Sequence, residues 1–123
     1  MKLNAVCWSL LVMTTLLTSS CYYDVEEELY PAGNCDTENM SFSQDIMPVF
    51  TQNCNICHAT GVEQGDVILD SYDAVLPYVT NGKLIGSIQH ANGFVAMPQG
   101  QPQLSACTID KIAAWIADGA LNN

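Results

Sequence analysis

The sequence has no arginine and only three lysines, Lys2, Lys83 and Lys111, against 13 Asp and Glu, for a formal net charge of −10. This excludes nucleic-acid binding, because nothing on the chain could neutralise a run of phosphates. An uninterrupted apolar run of roughly 20 residues, which a membrane-spanning helix needs, is also missing. The longest apolar stretch, from Leu3 to Leu17, is broken by Asn4, Ser9, Thr14 and Thr15. Nor is there the sustained apolar/polar alternation of a β-strand, Val67-Ile68-Leu69 being too short. No internal repeat is visible, and 123 residues leave room for one domain and not for two. What remains is an all-α class with short helices and long loops.

Cysteine, by contrast, is plentiful: six in a short chain. The first two belong to the N-terminus. Residues 1–20 read as an export signal, with Lys2 as the one early charge and the apolar stretch behind it. Leu17-Thr18-Ser19-Ser20-Cys21 resembles a bacterial lipobox, in which small residues precede a cysteine that is lipidated and becomes the new N-terminus. The alternative is a plain signal peptide. Cys7 leaves with the signal in either case, and loss of Lys2 leaves two lysines against 13 acids, a net charge of −11 on the mature chain. The expected location is the cell envelope of a Gram-negative bacterium, periplasmic or cell-surface, with the membrane engaged through the lipid on Cys21. That compartment is oxidising, so the remaining thiols should be bonded.

Residues 21–40 read as a flexible tether. They begin with the acidic run Tyr22-Tyr23-Asp24-Val25-Glu26-Glu27-Glu28, lack periodicity, and contain Pro31, Gly33 and Asn34. Residues 41–123 form the domain. Ile46, Val49 and Phe50 share one helical face, with the regular helix expected to start near Pro48 after a looser turn. Asp70-Ser71 could cap a short helix over Tyr72–Leu76 that Pro77 limits, and Gly82 opens another from Lys83 to His90. Residues 91–104 read as an irregular loop around Met97-Pro98. The last helix has Ser105 as N-cap, a stripe of Ile109, Ile112, Ala113 and Ile116 flanked by Trp115, and Gly119 as terminator. A core of about 85 residues of short helices is marginal without a staple or a cofactor at its centre.

Cys54-Asn55-Ile56-Cys57-His58 has the spacing of a c-type haem attachment site. Two thiols three residues apart on a tight turn can add to the two vinyl groups along one porphyrin edge, and the adjacent histidine then offers a ring nitrogen to the iron. Zinc would need two more ligands, and Cys35, His90 and Cys107 lack the paired spacing that supplies them. A thioredoxin-like dithiol expects a βαβ setting. A disulfide between Cys54 and Cys57 is the remaining structural alternative.

With these motifs in hand, residues from about Ser43 to Ala120 resemble a class I cytochrome c domain. The shared features are a helix leading into C-x-x-C-H, intermediate short helices, a Met-Pro loop, and a C-terminal helix with an aromatic residue. Met97-Pro98, Leu104-Ser105-x-Cys107-x-Ile109 and Trp115-Ile116-x-x-Gly119-Ala120 look like the small lipoprotein cytochromes c of some Gram-negative bacteria. The resemblance implies a cytochrome c fold wrapped around one covalent haem c, attached at Cys54 and Cys57, with His58 as the proximal and Met97 as the distal iron ligand. His90 as distal ligand, or an open site, is the alternative. It further implies an electron carrier and not an enzyme: an outer-sphere, one-electron protein tethered to a membrane. Given the charge, its redox donor and acceptor should carry basic docking patches. A fixed haem subunit or a gas-binding sensor domain of a larger complex is the second reading.

Cys35 and Cys107 are left over. From parity and compartment, a disulfide between them is expected, closing a loop of about 70 residues and contributing about 3 to 4 kcal/mol.

Overall fold

A computed structural model describes residues 35–123. The expected signal segment (1–20), Cys7, the lipidation site Cys21 and the tether up to residue 34 lie outside the described residues. No described residue is in a β-strand, and no described helix is long and apolar enough to cross a membrane. The all-α class therefore holds for the described chain.

The first element is a π-helical turn, Phe42–Ile46. Its signature is the bond from Ile46 N–H to Ser41 O at 3.2 Å, five residues back. Ser41 holds the entry, accepting from Gln44 N–H with its hydroxyl while its own N–H donates to the Asp45 carboxylate at 2.9 Å. Helix α1, Met47–Asn53, continues from the turn with Pro48 in its first turn. Proline lacks an N–H, and the first turn is where none is needed. The extra residue of the π-turn brings Phe42, Ile46 and Phe50 onto one buried face.

Helix α2 spans Tyr72–Thr80 and runs through Pro77 without stopping there. The sequence led us to end this helix at Leu76. Pro77 costs a single bond, the one to Asp73 O in the first turn, and its fixed φ suits the helix. Beyond it, Asn81 N–H returns to Pro77 O at 3.1 Å and the Thr80 hydroxyl donates to Leu76 O at 2.9 Å. Val75, fully buried, fixes the helix to the core. Ser71 stands at the N-cap but makes no capping bond with its side chain.

Helix α3, Lys83–Ile88, starts from Gly82 at φ 73° and ends two residues before the expected His90. His90 itself lies at φ 51°, where the chain reverses.

Helix α4, Ala106–Ala117, has the expected ends. The Ser105 hydroxyl accepts from Thr108 N–H at 3.2 Å. Gly119, at φ 97°, lets its own N–H reach Ile116 O and Ala120 N–H reach Trp115 O at 2.8 Å, a Schellman closure. The buried stripe is Ile109, Ile112 and Trp115, with Ile116 half-buried. The indole displaces Ile116 from the centre because its N–H finds Leu121 O at 2.9 Å, so the ring can be buried whole.

Ile46, Phe50, Val75, Ile112 and Trp115 form the centre of the core. Phe42 joins the layers, meeting Tyr72 edge-on at 5.2 Å between centroids and Trp115 at 5.4 Å. The expected tether ran to residue 40, but residues 35–40 join the domain. Met40 is a core side chain, and Cys35 is disulfide-bonded to Cys107 in the first turn of α4. Asn123 closes the same end of the molecule, its O accepting from the Ser41 hydroxyl at 2.9 Å and its side-chain oxygen from Phe42 N–H.

Candidate functional site

The Cys54–His58 motif extends α1 by one more turn. Cys54 and Asn55 N–H both reach Phe50 O at 2.9 Å, Cys57 N–H reaches Cys54 O at 3.0 Å, and His58 N–H reaches Cys54 O at 2.9 Å. Helical spacing then sets Cys54, Cys57 and His58 on one side of the turn. Phe50 from α1 and Ile46 from the π-helical turn before it, both fully buried, back it.

Cys54 and Cys57 are free thiols, so the alternative of a disulfide between them is not the arrangement found. Burial pushes the Cys54 thiol up to about 11. A redox-active dithiol works through a thiolate of lowered pKa, and this cysteine is displaced in the opposite direction.

His58 is fixed at both main-chain groups. Beyond the bond of its N–H to Cys54 O, its own O accepts from Leu69 N–H at 2.7 Å. The intervening loop is closed by the Asp70 carboxylate, which accepts from Thr60 N–H at 2.7 Å. That bond holds the Asp70 carboxyl below the usual carboxylate range. The His58 ring is a contrast to its backbone: Nδ1 is buried with no hydrogen-bond partner, as is Oδ1 of Asn55 in the same turn.

Met97 shows the same pattern on a different segment. Its N–H donates to Ser87 O at 3.0 Å, and its O lies 3.0 Å from His90 Nε2. The peptide to Pro98 is cis. Both candidates for the distal position are thus in contact, but in unequal roles, with the His90 ring spent on the Met97 main chain and the Met97 side chain left uncommitted. Among the described residues no hydrogen bond joins the Cys54–His58 turn to the Met97 loop.

The loop before Met97 is stitched to α3. Ala91 N–H reaches Gly86 O at 2.9 Å, and the Phe94 ring lies so close over Gly86 that a Cβ there would sit 2.6 Å from it. A glycine inside a short helix was the one sequence signal for this approach. Nothing in the sequence pointed to the His90 contact or to Ser87.

Two aromatic hydroxyls are bonded to main-chain carbonyls, Tyr72 donating to Ala120 O at 2.9 Å and Tyr78 to Asp66 O at 3.3 Å.

The chemistry open to this donor set is narrow. No three His, Cys, Asp or Glu side chains converge among the described residues, so a bare metal ion would lack a ligand cage there. Two thiols and one imidazole on a single turn instead match a group that brings most of its own metal ligands. Ile56, Val62, Phe94 and Val95 are exposed large apolar side chains on the two segments that carry the donors, the kind of lining a flat apolar group would cover. A covalently held haem fits these residues. Compared with protein-family models, curated proteins and solved structures, the chain matches none.

Proposed function

We propose that the chain is a monohaem c-type cytochrome of the class I kind, working as a one-electron carrier tethered to a membrane through Cys21. Cys54 and Cys57 hold the haem by thioether bonds, His58 is the proximal ligand and Met97 the distal one. The observation that carries this reading is the His58 ring, with a buried and unpartnered Nδ1 on a turn that presents two free thiols. A buried ring nitrogen left unsatisfied costs about 1 to 3 kcal/mol, and a group bound beside the two thiols would give the ring a task that the described residues do not. An iron porphyrin, when bound, supplies the ferric/ferrous couple, and a thioether opposite an imidazole shifts it towards the ferrous side.

The chain's own residues supply position and selectivity. The bonds of His58 to Cys54 and Leu69 hold the imidazole against rotation of its backbone. Those of Met97 do the same for the thioether loop. Phe50 and Ile46 exclude water behind the attachment turn. The acidic surface, with Lys83 and Lys111 as the only cations after Lys2, steers the domain towards basic partners and makes encounter rates fall with salt.

The test is a haem-stained denaturing gel of protein made alongside a cytochrome maturation system. The stain should survive boiling and vanish in the Cys54→Ala/Cys57→Ala variant. An unstained wild-type band with two titratable thiols refutes the proposal.

A further inference from the structure

We infer that His90 is a positioning residue that fixes the Met97 side chain for ligation by holding the Met97 carbonyl. This rests on the haem reading above. A ring nitrogen bonded to a main-chain carbonyl must carry the proton, so His90 Nε2 is the donor and Met97 O the acceptor, at 3.0 Å.

The contact completes a clamp. Ser87 O takes the Met97 N–H at 3.0 Å from the last turn of α3, and His90, two residues beyond the helix, takes the carbonyl. Pro98 follows and has no N–H to offer an alternative register. With its N–H and its carbonyl both tied, Met97 keeps only its side-chain torsions.

The backbone at His90 is arranged for this use. Its φ of 51° is a left-handed conformation that a non-glycine residue rarely adopts. It turns the chain so that the ring faces the residue seven positions later. His90 is exposed, and neither the core nor a salt bridge accounts for its placement. A histidine serving as the iron ligand would need the nitrogen that the Met97 carbonyl occupies, or would have to present Nδ1 from the same tethered ring.

The test uses the haem-loaded full chain and titrates exogenous imidazole against the Met97 ligand, followed by loss of the thioether-to-iron absorption band. A single net hydrogen bond corresponds to about a two- to tenfold change in an equilibrium constant. His90→Ala should therefore lower the half-displacing imidazole concentration about two- to tenfold and speed hydrogen exchange at the Met97 amide. The urea midpoint should stay near wild type because the ring is exposed. His90→Gln, which retains an N–H donor of similar reach, should restore much of both effects. Unchanged imidazole and exchange values in His90→Ala overturn the inference alone. So does loss of the six-coordinate spectrum in His90→Ala with its retention in Met97→Ala, which would make His90 the ligand. Protein without covalent haem on the stained gel overturns the haem reading and this inference with it.

Discussion

Replacing Cys35 and Cys107 together by alanine opens a covalent loop whose ends are 72 residues apart in sequence. In the chain-entropy model a loop of that length restricts the unfolded ensemble by about 4.4 kcal/mol at 25 °C. Residual structure in the unfolded chain trims this, so we expect a loss of about 3 to 4 kcal/mol. The packing part is small, since both cysteines are only half-buried and alanine leaves α4 a good helix former at position 107. For a domain with a total stability of about 5 to 15 kcal/mol, the loss is a large share. The assay is urea denaturation followed by tryptophan fluorescence. Trp115 is buried at the centre of the core and reports global unfolding. With a urea m-value of about 1.2 kcal/mol/M, 3.5 kcal/mol appears as a midpoint lowered by about 3 M. The m-value itself should rise, because the freed chain exposes more surface when unfolded. A midpoint within about 0.5 M of wild type, with m unchanged, would refute the argument that the disulfide acts on the unfolded chain.

Three further outcomes are expected. Gly86→Ala gains about 0.5 to 1 kcal/mol of helix propensity but drives a Cβ to 2.6 Å from the Phe94 ring, a clash that costs about 1 to 3 kcal/mol, so the net effect is destabilising. In a Phe94→Ala background the same change should turn stabilising, and an identical effect in both backgrounds would show that the ring is not the obstacle. Phe50→Ala, at a fully buried position behind the Cys54–His58 turn, should lose about 3 to 5 kcal/mol in urea denaturation, and a loss under about 1 kcal/mol would contradict the packing described. Asp70, its pKa lowered chiefly by the Thr60 N–H, gives stability that is complete above the ordinary carboxylate pKa of about 4 and lost as pH falls through the folded value. Asp70→Asn should therefore flatten the acid limb of a urea-midpoint against pH profile, and an unaltered limb would disprove the linkage.

Local signals in the sequence located the helix ends well. Pro48 marked the start of α1, Ser105 capped α4 and Gly119 ended it, because each acts through bonds within four or five residues of itself. The two thiols and the imidazole of the candidate site are contiguous at Cys54–His58, so one helical turn brings them together. The pairing of Cys35 with Cys107 followed from parity once the other cysteines were assigned. Non-local competition explains the rest. Pro77 did not end α2, since a buried Val75 and the bonds beyond the proline outweigh one missing N–H. Trp115 took the place that periodicity gave to Ile116, because a carbonyl six residues on satisfies its indole. Asp70, expected to cap α2, instead serves Thr60 ten residues back. The His90–Met97 contact depends on a left-handed backbone and a partner seven residues ahead, neither of which has a local composition signal.

The Cys35–Cys107 bond also sets the route by which the domain carries mechanical load. A pull arriving at Cys35 from the residues before it passes through one sulfur–sulfur bond into the first turn of α4 and on to the chain end. The segment between the two cysteines, which includes the Cys54–His58 turn and the Met97 loop, hangs from that line as a closed side loop. A pull applied between Cys35 and the end of α4 would therefore bypass the Cys54–His58 turn and the Met97 loop.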